Sequence, residues 1–242
     1  MDVNTGAEAL LTLDADYNMC SKCNLCLNRR RNSPLTGSGS VSADIMVVVE
    51  SPTGIDEQED SFLHDDGGRL LLNMLEMVWP FDCKELDDIR SINNKDLYFE
   101  AVREYMLDRI FVTPVVACVP PDSRKPVKAE IDECVQRIHR QVYAVDPLII
   151  IGLGSTAMKY VFNTGGKMVG MRGRTLDVGF MSPFSNREIR YACIPTYDPQ
   201  TLLRIGDQWL VEDKKGYTYE CMEDLKRALN ILKLRQELKE IV

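Results

Sequence analysis

Histidine is nearly absent from this chain: His64 and His139 are the only two in 242 residues. A lone histidine on a helix or in a polar loop is usually structural or solvated, so neither is read as a catalyst. No apolar stretch approaches the ~20 residues that a membrane helix requires, and no internal repeat is present, so a soluble globular protein is expected. Met1 to Met19 has neither a basic start nor a long apolar run, which argues against a secretory signal and for a reducing, cytoplasmic setting. Positive charge is also scarce. The 29 Lys and Arg stand against 37 Asp and Glu, for a net charge of −8. A nucleic-acid surface on such a chain has to be local, because phosphate contacts need cations where they touch. Arg29-Arg30-Arg31, Arg124-Lys125-Lys128, Arg172-Arg174 and Arg187-Arg190 are local clusters of that kind, each of which alone reads as a solvated face.

Cysteine, by contrast, is present eight times. In a reducing compartment a C-x-x-C with two further cysteines reads as metal binding, and four thiolates can hold an iron–sulfur cluster or a tetrahedral zinc. Cys20-Ser-Lys-Cys23 is the close pair; Cys118 and Cys134 form a distant, well-separated one. Spacing alone leaves zinc or cluster open. Cys26 is either a competing ligand or a neighbour of the site, and Cys83, Cys193 and Cys221 read as small buried hydrophobes.

Apolar runs rich in β-branched residues alternate with helical patterns. Ala43 to Glu50, Ile110 to Val116, Pro147 to Gly152 and Ile189 to Pro195 predict four buried strands. Gly67 to Trp79, Lys95 to Leu107, Lys128 to Val145, Ser155 to Phe162 and Tyr219 to about Lys239 predict helices. The pattern implies an α/β fold in a single domain over 1–242: a mostly parallel four-stranded sheet covered on both faces, in three α/β/α layers. Ligands of such sheets bind beyond the carboxyl ends of the strands. There the sequence puts Glu50-Ser51-Pro52-Thr53-Gly54, Thr113 to Arg124, and Pro195-Thr196-Tyr197-Asp198-Pro199.

Gly152-Leu153-Gly154-Ser155-Thr156-Ala157 matches the dinucleotide fingerprint, with Asp177 downstream, and opens a redox reading. The motif follows the third strand rather than the first, and a Gly- and Arg-rich segment precedes Asp177. Tight packing of a strand-to-helix turn explains the same glycines.

Taken in order, the cysteine motif Cys20-x-x-Cys23-x-Leu25-Cys26, the strand ending in Glu50-Ser51-Pro52, Gly67-Gly68-Arg69-Leu70-Leu71, Cys118-Val119-Pro120-Pro121-Asp122-Ser123-Arg124, Glu130 with Cys134, Arg172-Gly173 and Thr196-Tyr197-Asp198-Pro199-x-x-Leu202-Leu203-Arg204 resemble the iron–sulfur uracil-DNA glycosylases of the family 4 type. The likeness runs from Cys20 to about Arg204. It implies the glycosylase fold, a [4Fe–4S] cluster on Cys20, Cys23, Cys118 and Cys134 with zinc as the alternative, DNA as partner, a monomer, and hydrolysis of the N-glycosidic bond of a flipped-out base. Trp79 to Asp108 is longer than such proteins usually have, which suggests a helical insertion at about 79–108 able to recruit a protein partner.

The resemblance also assigns a pocket, and there this chain departs from the pattern. Glu50 and Pro52 match the loop beside the sugar, but Ser51 replaces a smaller residue and Thr53 a glycine. Leu63, with Phe62 adjacent, holds the position of the base-stacking Phe; Pro114 replaces the base-reading Asn and Asp198 the anion-stabilising His. Proline offers no side-chain hydrogen bond, so a base contact of ~1–3 kcal/mol is lost, and removal of an oxyanion donor costs ~2.7–4 kcal/mol. Poor activity on uracil is expected. Asp198 either donates as a buried neutral acid or, in a pocket rebuilt for another base, accepts from an exocyclic amine or activates water, and the fold could also persist as a silent DNA- or protein-binding module. Arg204 and Arg172 are candidate phosphate or structural contacts.

Overall fold

The computed structural model describes residues 3–80, 84–183, 185, 187–206 and 216–241, so Cys83 lies outside the described residues. Six strands form one sheet: β1 (Ser38–Gly39), β2 (Ile45–Val49), β3 (Ile110–Pro114), β4 (Ile149–Leu153), β5 (Leu176–Met181) and β6 (Glu188–Thr196), in the order β1-β3-β2-β4-β6-β5. The middle four are mutually parallel and are the four apolar runs of the sequence. The expected four-stranded sheet is thus corrected to six by an antiparallel strand at each edge. Those edges were illegible for a physical reason. β1 has only two residues, and β5 is half solvated and interrupted by Gly179, so neither shows a buried β-branched run.

Eleven α-helical segments are seen among the described residues: α1 (Val3–Tyr17), α2 (Gly54–Glu59), α3 (Asp66–Val78), α4 (Lys84–Arg90), α5 (Lys95–Leu107), α6 (Lys128–Cys134), α7 (Gln136–Val145), α8 (Gly154–Thr156), α9 (Met168–Met171), α10 (Pro199–Arg204) and α11 (Tyr217–Ile241). The single helix expected over 128–145 divides at Val135 into α6 and α7, and the one expected from Ser155 to Phe162 is α8 followed by a π-helical turn, Ala157–Val161. Short polar side chains start α2, α3, α5 and α10, where backbone N–H groups are left orphaned at an N-terminus. Asn94 Oδ1 accepts from the Asp96 and Leu97 amides, each at 3.0 Å, to open α5. Thr53 and Asp56 form a reciprocal capping box for α2.

Because successive strand residues point to opposite faces, the sheet builds two cores. Ile45, Val47, Ile110, Val112, Ile149 and Ile151 pack with Leu71 and Leu75 of α3, Val102 and Met106 of α5, and Leu225 and Leu229 of α11. Met46, Val48, Phe111, Ile150 and Cys193 face the other way, onto Ile138 and Val142 of α7, Val161 and Phe162. The result is the expected α/β/α sandwich. Cys193 and Cys221 are fully buried in these cores, in keeping with their reading as small hydrophobes. No described helix is long and apolar enough to cross a membrane.

Arg137 is wholly buried; its Nη1 donates to the Thr36 carbonyl at 2.6 Å and to Thr113 Oγ1 at 3.0 Å, and the guanidinium also binds the Pro114 carbonyl and the Gln141 side chain. It therefore satisfies acceptors where β3 ends and its ladder stops.

Candidate active site and thiol cluster

The chain runs from β2 to β3 on one side and places β4 on the other, so the sheet has a switch point beside β2. A crevice forms beyond the carboxyl ends of strands at such a point. Here it is a cleft of about 270 Å³ lined by the segments that follow β2, β3 and β6, by Leu153 at the end of β4 and by the start of α3. Glu50, Ser51, Pro52, Phe62, Leu63, Asp198 and Arg204, all singled out from the sequence, line it together. Pro114 does not. It is buried in β3, paired in register with Val49, with its carbonyl on Arg137.

Glu50 stands at the end of β2 and accepts a hydrogen bond from Thr156 Oγ1, a buried hydroxyl presented by α8. Lys125 Nζ lies 3.9 Å from the same carboxylate. Asp198 is the N-cap of α10: its Oδ2 accepts from the Thr201 amide at 3.1 Å and from Thr201 Oγ1 at 2.9 Å. Two donors and a helix N-terminus hold this side chain as an acceptor, which counts against the expectation that it donates as a neutral acid. Gly154 makes room for it. At φ +80°, a Cβ there would lie 3.0 Å from Asp198 Cβ, so the second fingerprint glycine is used in packing the two loops together. The first, Gly152, has Phe162 against it at 2.5 Å from where a Cβ would be. Asp177 stands on the edge strand β5 and binds Arg190 at 2.6 Å, which leaves the dinucleotide reading without its ribose partner.

Leu63 has φ +73°, a left-handed conformation unfavourable for a branched apolar residue. Strain of this kind persists only where the surroundings impose it. Gly68 permits it, since a Cβ there would sit 2.4 Å from Leu63 Cα, and the Ser38 hydroxyl accepts the Phe62 amide at 3.1 Å. Phe62 and Leu63 are thereby fixed as the apolar wall of the cleft.

The sequence reading missed Asp65 and Gln200, which line the cleft together with Arg124 and Lys125 of the basic Arg124-Lys125-Lys128 cluster. Asp65 caps α3, accepting from the Gly68 amide at 2.7 Å and from the Gln200 side-chain amide. Burial raises its pKa. An Asp just before Gly67-Gly68 is a legible helix start, whereas nothing local announces Gln200. Arg30, Arg69 and Arg204 border a shallow depression beside the cleft mouth. Arg172 is different: its Nε donates to Asp224 at 3.0 Å and its charge is absorbed there, so it is a structural contact. His139 accepts the Met181 amide on Nδ1 at 3.1 Å and stacks against Phe180, while His64 lies over the cleft-bordering turn.

On the opposite face of the sheet Cys20, Cys23, Cys118 and Cys134, with Cys26, line one small apolar recess. Three different elements bring them there: the turn after α1, the loop after β3 and the last residue of α6. All four are free thiols. Burial pushes Cys118 up to about 12, opposed by Arg29 and added to by Cys134, Cys23 and Cys20. Burial likewise raises Cys23, with Cys134, Cys20 and Glu130 adding to the rise. Cys26 lines the same recess beside the four. The Ala117 amide donates to Cys134 Sγ at 3.4 Å. Among the described residues no three His, Cys, Asp or Glu side chains are gathered so as to hold a single metal ion.

A family model for the uracil DNA glycosylase superfamily matches residues 36–226. The type-4 uracil-DNA glycosylase of Sulfurisphaera tokodaii is 27% identical over 184 residues, 76% of this chain and 71% of that protein. The type-4 enzyme of Saccharolobus solfataricus is 26% identical over 186 residues, 76% of this chain and 72% of its own length. That of Thermotoga maritima is 27% identical over 217 residues, 88% and 90% of the two chains. The cleft at the switch point, the four thiols across the sheet from it and a match spanning most of the sequence agree: this chain belongs to the uracil DNA glycosylase superfamily.

Proposed function

We propose that this protein is a type-4-like DNA glycosylase that hydrolyses the N-glycosidic bond of a base flipped out of DNA, with a base other than uracil as its preferred substrate. The observation that carries the reading is the cleft itself, in which Glu50, the Phe62-Leu63 wall and Asp198 converge beyond the strand ends. A flipped base enters such a crevice because its glycosidic bond is unreachable in the stack. Glu50, oriented by Thr156, holds water at the sugar as the bond breaks and positive charge develops there. Phe62 and Leu63 cover the base. Arg30, Arg69 and Arg204 at the mouth receive the phosphates on either side.

Asp198 decides the substrate. As an acceptor held by Thr201 it repels the anion that uracil becomes on departure, and it suits a base that offers an exocyclic amine or N–H. Uracil is consequently a poor substrate. A strand-cleavage assay tests this: DNA oligomers carrying uracil, hypoxanthine, xanthine or modified cytosines are incubated with the protein and then treated with alkali. Efficient cleavage at uracil and nowhere else contradicts the proposed preference. The same acceptor favours a second reading, a silent glycosylase fold that binds DNA without excision, and that reading is adopted if no base is released while DNA is bound.

Cys20, Cys23, Cys118 and Cys134, brought to one apolar recess from three elements, are the residues that would hold a [4Fe–4S] cluster, with zinc as the alternative. The backbone donor to Cys134 and the cation beside Cys118 suit anionic sulfur. When bound, the cluster ties the N-terminal segment to α6 and the loop after β3. Brown protein with about four irons per chain is the expected result, and colourless protein with stoichiometric zinc refutes it. α4 and α5, within the suggested insertion, offer a surface apart from the cleft for a protein partner of a monomeric enzyme.

A further inference from the structure

Arg29 ends the 3-10 turn Asn24–Asn28, six residues beyond Cys23, so the segment that presents the first two thiols also presents this guanidinium. Its Nε and Nη1 are closed to solvent and have no hydrogen-bond partner among the described residues. Burying an unsatisfied donor costs ~1–3 kcal/mol, and more when it is charged. Buried charges persist where they are paired. Glu130, a carboxylate of the thiol recess, is already taken by Arg124, which donates to it at 2.9 and 2.6 Å. Its charge falls on sulfur instead: Arg29 favours the Cys118 thiolate.

A metal cluster held by four thiolates is anionic, and outer-shell donors and charges orient its ligands and set its potential. We propose that Arg29 is the charge partner of the metal centre: Nε–H and Nη1–H donate to its sulfur atoms, and the positive charge holds its reduction potential up. The inference rests on the reading of the four thiols as an iron–sulfur site. It accounts for two otherwise unexplained guanidinium nitrogens and gives the three arginines of the Arg29-Arg30-Arg31 run separate uses. Arg31 binds Asp60, Arg30 borders the cleft mouth, and Arg29 turns inward.

The test compares the full-length wild type with Arg29→Lys, which keeps the charge, and Arg29→Met, which keeps only the length. Each is purified anaerobically, its iron and sulfide are counted, and its midpoint potential is measured by voltammetry without DNA. The expected result is full iron in the wild type, a lower potential in Arg29→Met, since an electron then joins an anionic centre with less compensation, and a potential near wild type in Arg29→Lys. Should Arg29→Met fail to retain iron, retention by Arg29→Lys supports the inference, and equal loss from both overturns it. An unchanged potential in fully loaded Arg29→Met also overturns it, as does an Arg29→Lys potential displaced as far as that of Arg29→Met. A wild-type chain that carries zinc or no metal overturns the iron–sulfur reading and this inference together, and is recognised before any variant is compared.

Discussion

Asp198 has two duties that substitutions can separate. As N-cap of α10 it accepts from the Thr201 amide and hydroxyl at 3.1 and 2.9 Å; as a cleft residue it would, in the proposed reaction, face the departing base. Replacing a capping Asp by Ala typically costs ~1 kcal/mol, whereas Asn caps about as well. In a domain of this size ~1 kcal/mol lowers the melting temperature by about 2–4 °C. Asp198→Ala is therefore expected to melt a few degrees below wild type and Asp198→Asn close to it. Activity on uracil has a different order. Asp198→His loses the cap but gains a donor for the leaving anion, and a donor of that kind is worth ~2.7–4 kcal/mol, or about 100- to 1000-fold in rate. The His variant should then be less stable than wild type and faster on uracil. Melting curves and single-turnover excision from a uracil-containing duplex measure the two effects independently. Rapid uracil excision by the wild type, undiminished in Asp198→Ala, refutes the placement of Asp198 in the chemistry. Equal destabilisation by Asn and Ala refutes the capping role.

The Cys118→Ser variant should lose visible absorption and melt lower than wild type, because one ligand of the tie between the N-terminal segment and α6 is gone; retention of full colour refutes that ligand assignment. DNA binding should weaken steeply with salt, with a log–log slope that falls by ~1 for each phosphate contact removed, so Arg204→Ala should flatten the slope without changing base preference. Burial lowers the pKa of His139 below the 6.5 of an exposed imidazole, so the unfolded chain takes up its proton first: stability is full above pH 6.5 and is lost as pH falls through the folded-state value. Burial and Arg103 lower that of His64 in the same direction. Thermal unfolding between about pH 7.5 and 5.5 should accordingly show a smaller pH dependence in His139→Gln than in wild type. Gly154→Ala forces a side chain into φ +80° and against Asp198, so it should depress excision more than it depresses the melting temperature; the reverse ranking places Gly154 in the scaffold only.

The parts of the fold that could be read from the chain were those whose signal is local. Ile45–Val49 and Ile149–Leu153 are continuous apolar runs because both faces of a central parallel strand are buried, and α5 begins at Lys95 because Asn94 supplies the cap. β5 carries no such mark. It is the outer strand of a hairpin with β6, paired from Met181 with Glu188 to Leu176 with Cys193, and its own residues show no continuous buried run. The same division holds in the site. Cys20, Cys23, Glu50 and Asp198 sit in recognisable strings, but Gln200 reaches the cleft only because α10 docks on α3, with Gly67 leaving space for its side chain and Asp65 accepting its amide. Pro114 shows the opposite failure: a position aligned with a base-reading residue is turned inward, with its carbonyl engaged by Arg137.

The two chemical regions lie on opposite sides of the sheet, yet one loop serves both. The stretch after β3 contributes Cys118 to the thiol recess and, immediately afterwards, Val119, Pro120, Arg124 and Lys125 to the cleft. Pro120 and Pro121 stiffen the crossing between them, since each fixes its φ, and Arg124 locks its far end to Glu130 of α6, the helix that carries Cys134. A metal centre at the four cysteines would therefore fix the position of Lys125 relative to Glu50 without touching DNA. Losing the centre should disturb catalysis through that loop. A uniform loss of fold would instead weaken DNA binding and excision in parallel, so the ratio of the two in Cys118→Ser distinguishes a positioning device from a general staple.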